Sequence, residues 1–100
     1  MPPEQHYQFD AELWLYAAAR APWHFITIPA EVASQIRFMA GKTRGFGSIR
    51  VRARIGETSW ATSLFPDKAT GSYFLPVKAD VRRRAAIAAG DRVSVELLIS

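Results

Sequence analysis

Three arginines occupy alternate positions in Ile49-Arg50-Val51-Arg52-Ala53-Arg54-Ile55. On a β-strand, alternate residues share a face and lie roughly 6.5–7 Å apart. Arg50, Arg52 and Arg54 would then form a row of guanidiniums able to meet phosphates or carboxylates in series. The chain around them is one-signed. From Val32 to Gly56 it carries Arg37, Lys42, Arg44, Arg50, Arg52 and Arg54 and no acid. Gly41, Gly45 and Gly47 would let backbone amides approach an anion, and Ser48 adds a hydroxyl. Phe46 and Trp60 could supply stacking faces or line a pocket. A second basic cluster joins Lys78 to Arg82-Arg83-Arg84; on a helix Lys78 and Arg82 are i, i+4 neighbours. The candidate anion-binding set is therefore Lys42, Arg44, Arg50, Arg52, Arg54, Lys78 and Arg82. A plainer reading stands beside it. Charges on a solvent face hold a strand in register and discourage edge pairing. Glu57 or Glu96 could neutralise the arginine row across strands, and Asp80 or Asp91 could engage the helical arginines.

Other chemistry is poorly supported. Ala40-Gly41-Lys42-Thr43 looks like the tail of a phosphate loop, but Ile36 stands where that motif needs its first glycine. Gly45-Phe46-Gly47 lacks the third glycine of a dinucleotide fingerprint. His6 and His24 are eighteen residues apart with no cysteine to join them, so no metal site and no cofactor are expected. Ser63, His24 and Asp67 could compose a triad, yet no nucleophile elbow surrounds Ser63. The scattered carboxylates show no acid/base pair. A core or rim role is the simpler reading of His24.

The sequence pattern also marks the elements that carry these residues. Tyr7 to Tyr16 alternates, with Tyr7, Phe9, Ala11, Leu13 and Leu15 on one face and Gln8, Asp10 and Glu12 opposite, which predicts a half-buried strand. Trp23–Ile28 reads as a second strand. Pro29 suits a helix start; Val32, Ile36 and Met39 then repeat at helical spacing up to Gly41. Strands follow over Ile49–Ile55 and Thr58–Phe65, joined by Gly56-Glu57. The Pro66–Gly71 turn leads to a fifth strand, Ser72–Val77. Asp80–Ala88 predicts a second helix. Gly90-Asp91 turns into a last strand, with Val93, Val95, Leu97 and Ile99 inward. Each half reads strand, strand, proline, helix, strand. Trp14 and Trp60 occupy comparable places in the two leading strands. An internal duplication and the mere commonness of proline at helix starts both account for the echo. The three tryptophans have packing as their simplest role; a barrel mouth lined by Trp23, Trp60 and Tyr73 is the alternative.

Length and composition bound the rest. One hundred residues form a single domain, 1–100, that is large enough to bury a core without staples. Cysteine is absent, which excludes disulfides and thiolate chemistry and fits a reducing compartment. No apolar run approaches the ~20 residues of a membrane helix. The first ten residues lack the basic and apolar regions of a signal peptide. The expectation is a cytoplasmic protein with no membrane partner. A net charge of +4 favours acidic partners without selecting nucleic acid.

A series of ordered motifs resembles a bacterial family known as domain of unknown function 1905. They are Glu12-Leu13-Trp14, Ala21-Pro22-Trp23-His24-Phe25-Ile26-Thr27-Ile28-Pro29, Arg44-Gly45-Phe46-Gly47-Ser48-Ile49 and Trp60. Ser63-Leu64-Phe65-Pro66-Asp67-Lys68, Leu75-Pro76-Val77-Lys78, Val81-Arg82 and Gly90-Asp91 complete the series. The resemblance implies a small β-barrel with two short helices, similar to the double-split barrel of antitoxin and transition-state-regulator DNA-binding proteins. Those proteins carry a proline, helix, Gly-Asp, strand segment resembling Pro76 to Val95, and assemble their barrel from two chains. By the same analogy Arg82 is the helical arginine to watch. The family carries no agreed activity, so the resemblance implies a fold and not a reaction.

The expected architecture is thus mainly β: a six-stranded, double-split-barrel-like β-barrel with two short helices. The expected role is a non-catalytic binding module with a basic face for nucleic acid, a phosphate metabolite or an acidic protein surface. The alternatives are a small enzyme acting at the barrel mouth near Trp60 and Ser63, and a structural or interaction domain.

Overall fold

The computed structural model describes residues 5–17, 22–40 and 47–99. Six strands and two helices follow in the order β1 (Gln5–Tyr16), β2 (Trp23–Thr27), α1 (Ala30–Ala40), β3 (Ile49–Ile55), β4 (Thr58–Asp67), β5 (Ser72–Pro76), α2 (Ala79–Ala85) and β6 (Arg92–Ile99). The strands close into an antiparallel barrel in the order β1-β2-β5-β4-β3-β6, with β6 returning to β1. This is the expected mainly-β, six-stranded barrel with two short helices.

Alternation drives closure. In β3 every second residue is buried, Ile49, Val51, Ala53 and Ile55 pointing inward and the three arginines outward. The other strands add Leu13, Ile26, Leu64, Leu75, Val95 and Leu97, all fully buried. Removing each such side chain from water contributes roughly 1.5–3 kcal/mol. Ile36 of α1 is buried with them, as are Val77 and Val81 at the start of α2; α1 rests on β5 and α2 on β4. The barrel interior is therefore packed with side chains.

The turns follow their residues. Gly56-Glu57 joins Ile55 to its partner Thr58 in a two-residue hairpin, and Gly56 alone carries a positive φ of 60°, the II′ pattern that suits a right-twisted ribbon. Asp67 organises the next turn. Its carboxylate accepts from the Ala69 amide (3.0 Å) and the Thr70 hydroxyl (2.7 Å), and its carbonyl accepts from the Gly71 amide (2.8 Å). The Arg37 guanidinium donates to the Gly71 carbonyl and fastens α1 to this turn.

Some boundaries differ from expectation. β1 begins at Gln5, because Gln5 pairs with Ile99 at the open end of the ladder. β4 runs on through Pro66 to Asp67, where β3 no longer flanks it: the first β3 pair is Ile49 with Leu64. α2 stops at Ala85, three residues early, because Ala86 turns left-handed (φ 57°, ψ 46°) and the chain reverses through hydrogen bonds from the Ala86 amide to the Arg83 carbonyl and from the Ile87 amide to the Arg82 carbonyl. Gly41, the expected end of α1, lies outside the described residues.

The topology is unchanged when the halves β1-β2-α1-β3 and β4-β5-α2-β6 are exchanged. The hairpin pair Trp14–Phe25 then corresponds to Phe65–Phe74, and the buried Leu13 and Ile26 to Leu64 and Leu75. This corrects the expected equivalence of Trp14 and Trp60. Trp14 lies on the outer face of β1, on the opposite side of the strand from buried Leu13, whereas Trp60 points inward from β4. Residues of opposite parity on a strand cannot be counterparts.

Candidate functional site

The arginine row is present as expected, and its members differ. All three side chains are exposed. Arg54 stands opposite Glu96 on β6, which it approaches to 3.6 Å; Glu96 also lies 3.3 Å from the His6 ring. Arg52 stands between Ala61 on β4 and Leu98 on β6, and Arg50 opposite Ser63. Among the described residues no carboxylate comes within ion-pairing distance of Arg50 or Arg52. Glu96 thus neutralises one arginine of three. Glu57 sits in the hairpin turn and pairs with none of them. Lys42, Arg44 and Phe46, with Gly41 and Gly45, lie outside the described residues.

The second basic cluster splits as well. Asp80 takes Arg83 at 3.0 Å and Arg84 at 3.4 Å, one turn apart on exposed helix. Asp91 is occupied elsewhere, accepting the Ala88 amide at 2.9 Å. Arg82 turns the other way. Half-buried, it donates from Nη1 to the Val77 carbonyl at 2.7 Å, bracing the strand-to-helix junction. Lys78 is the N-cap residue, exposed and making no side-chain cap bond. The Arg82 amide donates to the Lys78 carbonyl at 2.9 Å, so the two are i, i+4 neighbours in the first turn, with Lys78 at the cap. Both line a groove of about 280 Å³ that also includes Pro22, Trp23, His24 and Pro76. His24 Nδ1 donates to the Pro22 carbonyl at 2.9 Å.

Trp60 is not a stacking face. It is 9% exposed and packs inside the barrel, and its indole N–H is buried without an acceptor among the described residues. Tyr73 is buried too, whereas Trp23 lies 52% exposed outside, so the three do not form one mouth. Ser63 and Trp60 face opposite sides of β4. The Asp67 carboxylate serves its own turn, and Ser63, His24 and Asp67 share no hydrogen bond. Among the described residues no three His, Asp or Glu side chains gather as metal ligands, and no helix is long and apolar enough to cross a membrane.

A further surface feature was not foreseen. The outer faces of four neighbouring strands carry aromatic residues in register. Tyr16 pairs with Trp23; Trp14 with Phe25, which pairs with Pro76; Thr27 with Phe74, which pairs with Phe65. Ring centroids of Trp14, Phe25 and Phe74 lie 5.4–5.8 Å apart, and Trp23 stacks parallel to Phe25 at 6.3 Å with 6° between planes. Trp14 donates its indole N–H to the Thr27 hydroxyl at 2.9 Å, fixing the ring at the centre. These rings line an open groove of about 490 Å³ that has no charged lining residue among the described residues and adjoins the Lys78–Arg82 groove along Trp23 and Pro76. Its other margin reaches the arginine row. Phe65 and Ser63 share the outer face of β4, and Arg50 stands opposite Ser63, so Phe65 and Arg50 are diagonal neighbours roughly 7–8 Å apart. The sequence signal was the break in polarity of β1: after Gln8, Asp10 and Glu12, the outward series continues with Trp14 and Tyr16.

Fold and surface together define a closed antiparallel barrel with a packed interior and a wall divided between aromatic and arginine-bearing strands. Residues 9–97 match the family described as "Domain of unknown function (DUF1905)", and the chain belongs to that family. No curated protein matches it.

Proposed function

We propose that this domain is a non-catalytic binding module that takes an anionic ligand along the outer face of β3. The observation that carries the reading is the state of Arg50 and Arg52. Both are exposed, both face small or apolar neighbours, and neither has a carboxylate within ion-pairing distance among the described residues. A guanidinium is permanently charged and forks two N–H groups toward an oxyanion. A strand presents two such forks in line, at a spacing fixed by the pleat. A solvated strand face would serve register equally well with interleaved signs. The packed interior and the opposed directions of Ser63 and Trp60 favour surface recognition over chemistry at a barrel mouth.

The test is titration of an end-labelled single-stranded oligonucleotide, and separately of inorganic polyphosphate, across a salt series. Affinity should fall with salt, with a log–log slope losing about 0.7 per arginine removed on the single strand. Arg50→Gln with Arg52→Gln should abolish most of that dependence for both probes. Salt-independent binding, or binding indifferent to the double substitution, would overturn the reading.

A further inference from the structure

A domain that leaves six aromatic rings on one open wall is presenting a surface for recognition. Two features of the wall select its occupant. The first is geometry. The rings meet at mixed angles, Trp23 parallel to Phe25 within 6° and the other pairs tilted or edge-on, and the half-exposed rings of Tyr16, Trp23 and Phe65 leave aromatic surface open to planar groups that are themselves unpaired and separable. The second is charge. Among the described residues no carboxylate lines the groove, and cations stand at both margins: Arg50 beside Phe65 on one side, Lys78 and Arg82 beside Trp23 and Pro76 on the other. Asp80, the acid nearest those two in sequence, is committed to Arg83 and Arg84.

We propose that this wall is a stacking platform for the bases of a single-stranded nucleic acid, whose phosphates run to Arg50 and Arg52 at one margin and to Lys78 and Arg82 at the other. The proposal rests on the anion-binding reading of β3 and gives it a ligand class. Unpaired bases supply π-faces at intervals along an anionic backbone, and an aromatic surface edged with cations is the matching receptor. A duplex hides those faces inside its own stack. A second copy of the chain fits less well. A two-fold pairing of the walls would bring like-charged margins together with no carboxylate among the described lining residues to receive them.

The experiment compares four probes in about 50 mM salt: an end-labelled thymidine 12-mer, an abasic 12-mer with the same backbone, a duplex of the same length, and thymidine 5′-monophosphate. The 12-mer should bind at least about tenfold more tightly than the abasic strand and the duplex, since each stacked base contributes several-fold or more. It should also quench tryptophan emission. Trp23→Ala and Phe65→Ala remove rings that are about half exposed, so the barrel is retained while affinity falls at least about fivefold each; Trp23→Phe should restore most of it. Equal affinity for the abasic strand, with arginine dependence intact, overturns the platform and leaves the anion reading standing. Base-dependent binding that ignores Arg50→Gln with Arg52→Gln overturns the anion reading and leaves the platform. Monophosphate binding as tight as the 12-mer makes a free nucleotide the occupant and overturns the strand proposal. So does a concentration-dependent dimer in sedimentation that Trp23→Ala dissolves. Failure of every probe overturns both.

Discussion

Arg54 meets Glu96 across the β3–β6 ladder at 3.6 Å, and this contact sets it apart from Arg50 and Arg52 on the same strand. Arg54 is exposed and Glu96 only partly covered, so the pair adds at most about 1 kcal/mol to stability. Its effect on the field of the wall is larger, because it cancels one charge of three. Glu96→Gln should leave the urea midpoint nearly unchanged and tighten binding of the oligonucleotide. The salt slope should steepen by about 0.7 as Arg54 joins the set. A titration across salt checks this; an unchanged slope would show that Arg54 lies outside the ligand's reach.

Trp60 carries the one buried side-chain polar atom without a partner among the described residues. A buried unpaired N–H costs on the order of 1–3 kcal/mol. Trp60→Phe deletes that donor while keeping a ring in the core, so the lost packing and the recovered cost should nearly cancel. Trp60→Ala should cost about 3–5 kcal/mol. Urea denaturation of both variants separates the cavity effect from the polar one.

Ala86 ends α2 in a left-handed conformation that its Cβ disfavours by roughly 1–2 kcal/mol. Ala86→Gly relieves that strain and pays back part of it in chain entropy, for a net gain of about 1 kcal/mol or slightly less. Ala86→Val should destabilise, because a β-branched side chain adds to the clash. The difference in thermal midpoint between the two variants is the readout.

Burial raises the Tyr7 phenol above its ordinary value of 10.0. The folded chain therefore holds this proton more tightly than the unfolded chain does. The associated stability is fully present below the unfolded value and is lost as pH rises through the folded one. Tyr7→Phe should flatten the fall of stability above pH 10 relative to the parent. Denaturation midpoints compared between neutral and strongly alkaline pH, for both proteins, isolate this residue from the rest of the chain. Identical curves would refute the assignment.

The elements were legible where pattern was strict and local. Ile49–Ile55 alternates without exception and is a strand with the arginines outward. The Gly56-Glu57 and Asp67–Gly71 turns carry residues that their geometry requires. The end of α2 was not legible, since a run of alanines holds no glycine to mark a left-handed cap. The two tryptophans misled for a different reason. Identity of residue type suggested that Trp14 and Trp60 correspond, while the register between strands gives them opposite faces. The cations that count were only partly visible. Which arginine finds an acid depends on Glu96, forty-two residues from Arg54 in the chain. The aromatic wall was the least accessible feature, because it is assembled by the pairing of β2 with β5, strands separated by a helix and a hairpin.

That seam has a thermodynamic consequence. Trp14–Phe25 belongs to one half of the barrel and Phe65–Phe74 to the other. Neither half alone contains the wall, and neither does the unfolded chain. Occupancy is therefore linked to closure: a molecule seated across the seam binds only the closed barrel and shifts its melting upward with concentration. At one hundred times its dissociation constant the gain is about 2.7 kcal/mol. Heat resistance of the barrel is thus a direct report on whatever occupies its wall, and a thermal-shift series can search for ligands without an assay of function.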